Sequence, residues 1–200
     1  MRQNRLTTRL AVLALTATLR PAMAWAHTEQ DRAGGFLAGI HHPVSGLDHV
    51  LAMVSVGLWG AQLGVPAVWL LPVTFPMVMA FGGMLGLVGV PLPGVEVAIA
   101  LSGVLLGSAV LAEWRPLLWA AAVIVGFFAI FHGHAHGTEL PVGASGLAYS
   151  MGFVVATGTL HAVGIAIGAI HHWSWGRVAL RVAGGAIAAA GTFFLWRAFA

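Results

Sequence analysis

The stretch LDHVLAMVSVGLWGAQLGVPAVWLLPVTFPMVMAFGGMLGLVGVPLPGVE, residues 47 to 96, carries charge only at Asp48 and Glu96, near its two ends. Between them lie two apolar runs, about 46–63 and 67–89, parted by Gly64-Val65-Pro66 and closed by Val90-Pro91-Leu92-Pro93-Gly94. Runs of about 20 apolar residues are long enough to cross hydrocarbon as helices, and Gly/Pro clusters mark where such helices turn. The pattern continues at 95–112, 116–133, 145–169 and 178–198, with breaks at Glu113-Trp114-Arg115-Pro116, His134 to Gly143 and His171 to Gly176. This predicts an all-α membrane protein: a compact bundle of six transmembrane helices following a cleavable signal peptide. Short connections make consecutive helices antiparallel.

Composition leads to the same class. Hydrophobic residues form 59% of the 200 residues, charged residues 8%, and nine basic and six acidic side chains cannot cover so apolar a soluble fold. All nine basic residues are arginine, scattered or at segment ends without a basic stripe, which speaks for topology signals and against nucleic acid. The absence of cysteine excludes disulfides and thiolate metal sites. Residues 1–26 have the form of a signal peptide: Arg2, Arg5 and Arg9, then apolar Leu10 to Leu19, then Ala24-Trp25-Ala26 before the expected cut. That places the mature N-terminus, and after six crossings the C-terminus, outside the cytoplasm. Arg115, Arg177 and Arg181 then fall inside, Arg32 and Arg197 outside.

Glycine-containing stretches at Gly82–Gly86, Gly103–Gly107 and Gly164–Gly168 read as close-packing surfaces between helices. Pro72 and Pro76 interrupt the backbone ladder of the second span. Trp114, Trp173, Trp175 and Trp196 fit an interfacial belt.

Ionisable groups cluster in two motifs. HHPVSGLDHVLAM, residues 41–53, supplies His41, His42, Asp48 and His49 at the entrance of the first span, with Met53 one turn after His49. FHGHAHGTE, residues 131–139, ends the fourth span with His132 and His136 at i, i+4, His134 between them, and Glu139 at i+7. Paired histidines at that spacing offer two metal ligands on one helix face, although Gly133 and Gly137 weaken helix persistence. Topology brings both motifs, and Glu96 at the start of the third span, to the same outer side. Charged groups at membrane depth face one another or a polar path, and a nitrogen/oxygen set of this kind suits divalent nickel, cobalt or zinc. His161 lies deeper, in the fifth span.

HPVSGLDHVLAM with Gly57 and Ala61, then FHGHAHGTE, then His161-Ala162-Val163-Gly164, resemble the signature of the HupE/UreJ membrane proteins. The resemblance runs from the signal peptide to the last helix. It implies a non-enzymatic six-helix secondary transporter carrying nickel, in some members cobalt, inward across the bacterial inner membrane, in functional association with hydrogenase or urease maturation. The metal would be cargo, with no permanently bound cofactor. Functional weight falls by resemblance on His42, Asp48, His49, Phe75, Glu96 and Glu139. Stepwise ligand exchange through neutral imidazole would make uptake fall as pH drops through about 6.5. Three other readings are weighed against it: a haem-binding electron carrier with His49 and His132 as axial ligands, a non-transporting metal sensor, and a protease built on Gly143-Ala144-Ser145-Gly146 and His161.

Overall fold

The computed structural model describes residues 34–140 and 143–200, so the expected signal peptide lies outside the described residues. Seven α-helices make up the described chain. They are α1 (Gly34–Ser45), α2 (Leu47–Leu63), α3 (Ala67–Leu87), α4 (Val95–Ala112), α5 (Leu118–Thr138), α6 (Gly146–Gly168) and α7 (Ser174–Arg197), with a 3₁₀ turn at Ala169–His172 before α7. Helices α3 to α7 are each long and apolar enough to cross a membrane, and α1 with α2 supplies a sixth crossing when the pair is counted as one broken span. Large apolar side chains such as Met77, Trp119 and Val182 point outward, as expected where lipid is the solvent.

The first span departs from expectation. A single helix beginning near residue 46 is predicted; instead α1 precedes it, and the axis turns by 83° at Gly46. Pro43 is accommodated within α1, where it is buried. The His41–His49 motif is therefore the elbow of a discontinuous helix. His42 stands on one arm and Asp48 and His49 on the other.

Glycine seams hold the bundle together. A Cβ on Gly82 would collide with the Ile130 carbonyl oxygen, one on Gly86 with that of His134, one on Gly133 with that of Met79, and one on Gly137 with that of Gly83. The α3 and α5 backbones thus run in parallel at direct contact. Gly57 and Gly164 seat α2 on α6 in the same way, Gly107, Gly184 and Gly191 seat α4 on α7, and Gly39 and Gly152 seat α1 on the first turns of α6. Without a hydrophobic drive between helices in lipid, such close backbone approach supplies the dispersion that holds them.

The α3–α5 seam also corrects the fourth span. Its helix is predicted to stop at residue 133 but continues to Thr138, through all three histidines of the motif. Glycine inside a helix costs about 1 kcal/mol relative to alanine. Here Gly133 and Gly137 gain backbone contact with α3 that no larger residue permits, and the helix persists.

Arg115, at the end of α4, and Arg177 and Arg181, at the start of α7, gather at the end of the bundle opposite the two histidine motifs; Arg181 Nε–H donates to the Leu111 carbonyl at 3.0 Å. The belt tryptophans Trp114, Trp173, Trp175 and Trp196 are exposed near helix ends. Trp59 differs. It is fully buried, stacks on Trp114 and donates its indole N–H to the Trp114 carbonyl at 2.9 Å.

Replacing Gly133 by Val should abolish a monodisperse, helical protein in mild detergent, because α5 must lift from α3. Gly158→Ala, on a face of α6 with nothing within 4 Å, should leave it unchanged. Size-exclusion profiles and thermal melts measure both.

Candidate metal centre

Four elements bring the polar side chains together. The elbow presents His42 from α1 and Asp48 and His49 from α2; the extended α5 presents His132 and His136, with Glu139 just past its end; α4 contributes Ser102 and α6 His161.

The contacts form a line. His42 Nε2 lies 2.9 Å from Glu139 Oε2. The His42 ring meets His136 edge-on with centroids 4.7 Å apart, His136 meets His49 at 4.6 Å, and His49 meets His132 at 4.9 Å. Phe75 of α3 continues the series, 5.4 Å from His132 and 5.3 Å from His161. Side-chain exposure falls along it, from 55% at Glu139 and 30% at His42 to full burial at His132 and His161. One end therefore reaches the surface and the other lies inside the bundle.

Hydrogen bonds fix how most of these imidazoles are protonated. His49 donates Nδ1–H to Asp48 Oδ1 at 2.9 Å, and its backbone N–H donates to the same oxygen. Its Nε2 is buried and, among the described residues, unpartnered, as are the other free nitrogens below. Ser102 spends its one proton on the Ile99 carbonyl at 2.6 Å, so its oxygen accepts from His132 Nε2–H at 3.0 Å. The lone pair of His132 is then on Nδ1, also buried and unpartnered. His161 donates Nδ1–H to the Met53 carbonyl at 2.8 Å, leaving Nε2 free; both nitrogens of His136 lack partners.

Buried polar atoms without partners are costly. A row of them, in which His49, His132 and His161 each have the opposite nitrogen oriented by an acceptor, is the arrangement in which histidine ligates metal. His42, His136 and Glu139 each offer a ligand atom within 4.8 Å of one another, so one ion can take all three. Nitrogen and carboxylate donors without sulfur suit divalent nickel, cobalt or zinc.

The expected residues divide on this geometry. His42, Asp48, His49, His132, His136 and Glu139 come together, and Phe75 and His161 extend the line inward, with buried Met53 contributing its backbone carbonyl to His161. Asp48 orients His49 from the first turn of α2, where the helix dipole also favours its charge. His41 is exposed on α1. Glu96 is exposed in the first turn of α4, and no side-chain hydrogen bond or ion pair among the described residues joins it to the cluster. His134 turns away and donates Nε2–H to the Val90 carbonyl at 2.7 Å, tying α5 to the connection before α4. Ser102, Thr157 and Tyr149 were not singled out in the sequence. Each is buried and polar, and Tyr149 Oη and Thr157 Oγ1 lack partners. A lone hydroxyl in an apolar run gives no periodic signal of its direction.

Two other readings meet geometric obstacles. His49 and His132 touch edge-on, which leaves no room for a porphyrin between them. Ser145 caps α6, accepting from the Ala148 N–H at 3.4 Å, and α6 runs unbroken to Gly168; Ser145 and His161 are thus roughly 24 Å apart along its axis.

Comparison with known proteins adds an independent line. The family profile described as HupE / UreJ protein matches residues 13–194. The chain is 48% identical over 195 residues to "Protein HupE" of Rhizobium leguminosarum bv. viciae, covering 98% of this chain and 99% of that one. No solved structure matches it.

Ser102→Ala removes the acceptor that holds Nε2–H of His132. Equilibrium Ni²⁺ binding to the detergent-solubilised protein should weaken about tenfold or more, the usual effect of losing an orienting partner. Thr159→Val, which removes an exposed hydroxyl of α6, should leave the affinity unchanged.

Proposed function

Because this chain belongs to the HupE/UreJ family, we propose that it is a permease taking up divalent nickel, with cobalt as an alternative cargo, across the bacterial inner membrane to supply hydrogenase or urease maturation. The observation that carries this reading is the line of imidazoles with free, buried lone pairs running from exposed Glu139 to the bundle interior.

A hydrated ion arriving at the exposed end meets Glu139 and His42 first, and exchanges water for their oxygen and nitrogen. His136, with both nitrogens free, is the third ligand and the first buried one. His49 and His132 follow, each with a fixed lone pair, so that a bond to the next imidazole forms as one behind it breaks. Two carboxylates, Asp48 and Glu139, offset the charge of the divalent cation as water is stripped away. Asp48 does so through His49, a role in orientation and charge that replaces the direct ligation expected from sequence. Transport needs binding firm enough to select and loose enough to release, and a row of partial sites meets both demands better than one closed cage. Selectivity does not follow from donor type, since affinity alone would favour copper. It rests on the geometry of the row.

Orientation follows from the arginines. Arg115, Arg177 and Arg181 mark the cytoplasmic end, so the histidine end faces outward.

Proteoliposomes containing the native chain should accumulate Ni²⁺, with Co²⁺ competing. Asp48→Asn, His49→Ala and His136→Ala at matched reconstitution should each lower the rate by about tenfold or more. Native vesicles that bind metal without filling would make the protein a sensor. Orientation is tested separately, because the native chain has no cysteine. A membrane-impermeant thiol reagent should label Pro91→Cys in spheroplasts, and Leu117→Cys only after lysis.

A further inference from the structure

The line of ligands does not end at His132. Phe75 is fully buried and bridges the rings of His132 and His161, at interplanar angles of 61° and 76°. Beyond it, His161 has a free Nε2, and Thr157, one turn earlier on the same face of α6, has a free Oγ1; both side chains are essentially inaccessible to solvent. Helix-borne threonine usually gives its hydroxyl proton to the carbonyl four residues back, as Thr159 and Thr192 do here. Thr157 does not. A buried imidazole nitrogen and a buried hydroxyl, one turn apart on the same helix face and both without partners among the described residues, make a polar spot in an otherwise apolar interior.

Phe75 lies between the two prolines of α3. Pro72 and Pro76 lie inside the helix and lack N–H groups, so the carbonyls of Val68 and Pro72 lose their usual helical donors. That weakens the backbone ladder on both sides of Phe75 and eases displacement of its ring.

We propose that His161 and Thr157 form an inner station for a partly dehydrated divalent cation, separated from the outer histidines by Phe75, whose ring must move for the ion to pass. The inner station rests on the permease reading for its purpose. Its existence as a metal site does not, and the two are tested apart.

The decisive variant is His161→Asn, whose side-chain amide sits where Nδ1 does and can still donate to the Met53 carbonyl, while the atom corresponding to Nε2 is gone. Thr157→Val keeps the shape and removes only the hydroxyl. Titration of the purified full chain with Co²⁺, followed by its ligand-field absorption, should show a tight and a weaker equivalent in the native protein. His161→Asn should lose the weaker one and keep the tight one within about twofold. In proteoliposomes, maximal Ni²⁺ uptake should fall about tenfold for His161→Asn and several-fold for Thr157→Val, with the half-saturating concentration nearly unchanged. Melting temperatures report folding; if His161→Asn fails to fold, Thr157→Val decides, its weaker equivalent being diminished if the station exists. A native titration with no weaker equivalent, or one that both variants leave intact, overturns the inner station. Native protein with both equivalents but no uptake overturns the permease reading alone.

Discussion

Direct contact between the backbones of α3 and α5 is the constraint on which the rest of the structure depends. Gly82, Gly83 and Gly86 on one helix and Gly133 and Gly137 on the other allow it, and a single methyl group at most of these positions would collide with a carbonyl oxygen. The seam keeps α5 helical through Thr138. Only in a continuous helix do His132 and His136 project inward from the same face, and only then does His134, two residues from either, point elsewhere and bond the Val90 carbonyl. The most helix-averse residues of the motif are thus those that stabilise it as a helix.

A second constraint is the cost of placing imidazoles in an apolar interior. The fold meets half of it. Asp48, Ser102 and the Met53 carbonyl each accept from one nitrogen of a histidine and so hold its ring and tautomer, while the other nitrogen is left without a partner. A protein that needed these residues only for packing would lose little by replacing them with leucine or phenylalanine of similar volume. On the proposed permease reading, the unpaired nitrogens are the places where a passing cation binds.

The elbow between α1 and α2 lets this happen inside a bundle of straight helices. Discontinuous helices expose polar backbone and side chains at depth only where protein or a polar path surrounds them. The 83° turn at Gly46 aims His42 from α1 toward Glu139 and His136, and Asp48 and His49 from α2 toward His132. A continuous helix would carry His42 and His49 along one straight face and could not present them to α5 from two directions. Gly39 against Tyr149 and Phe153, and Gly57 against His161 and Ile165, anchor the two arms to the same helix, α6, and so preserve the angle.

The sequence by itself determined the class, the approximate course of the later spans, the glycine contact surfaces, and two motifs whose residue types suit a divalent cation. These are properties of local composition and spacing, because a membrane demands long apolar helices with short turns and permits few ionisable residues that are not functional. Tertiary structure alone decided the rest. That Pro43 belongs to a helix and Gly46 to a bend depends on how α1 and α2 dock on α6. That Glu96 stays exposed at the start of α4, while Ser102 further along the same helix is buried against His132, depends on how α4 packs among its neighbours. That Ser102 orients His132, and that Phe75 bridges His132 and His161, depends on side chains 30 and more residues apart meeting across helix faces. Spacing along one helix shows which residues share a face; only packing decides which faces meet.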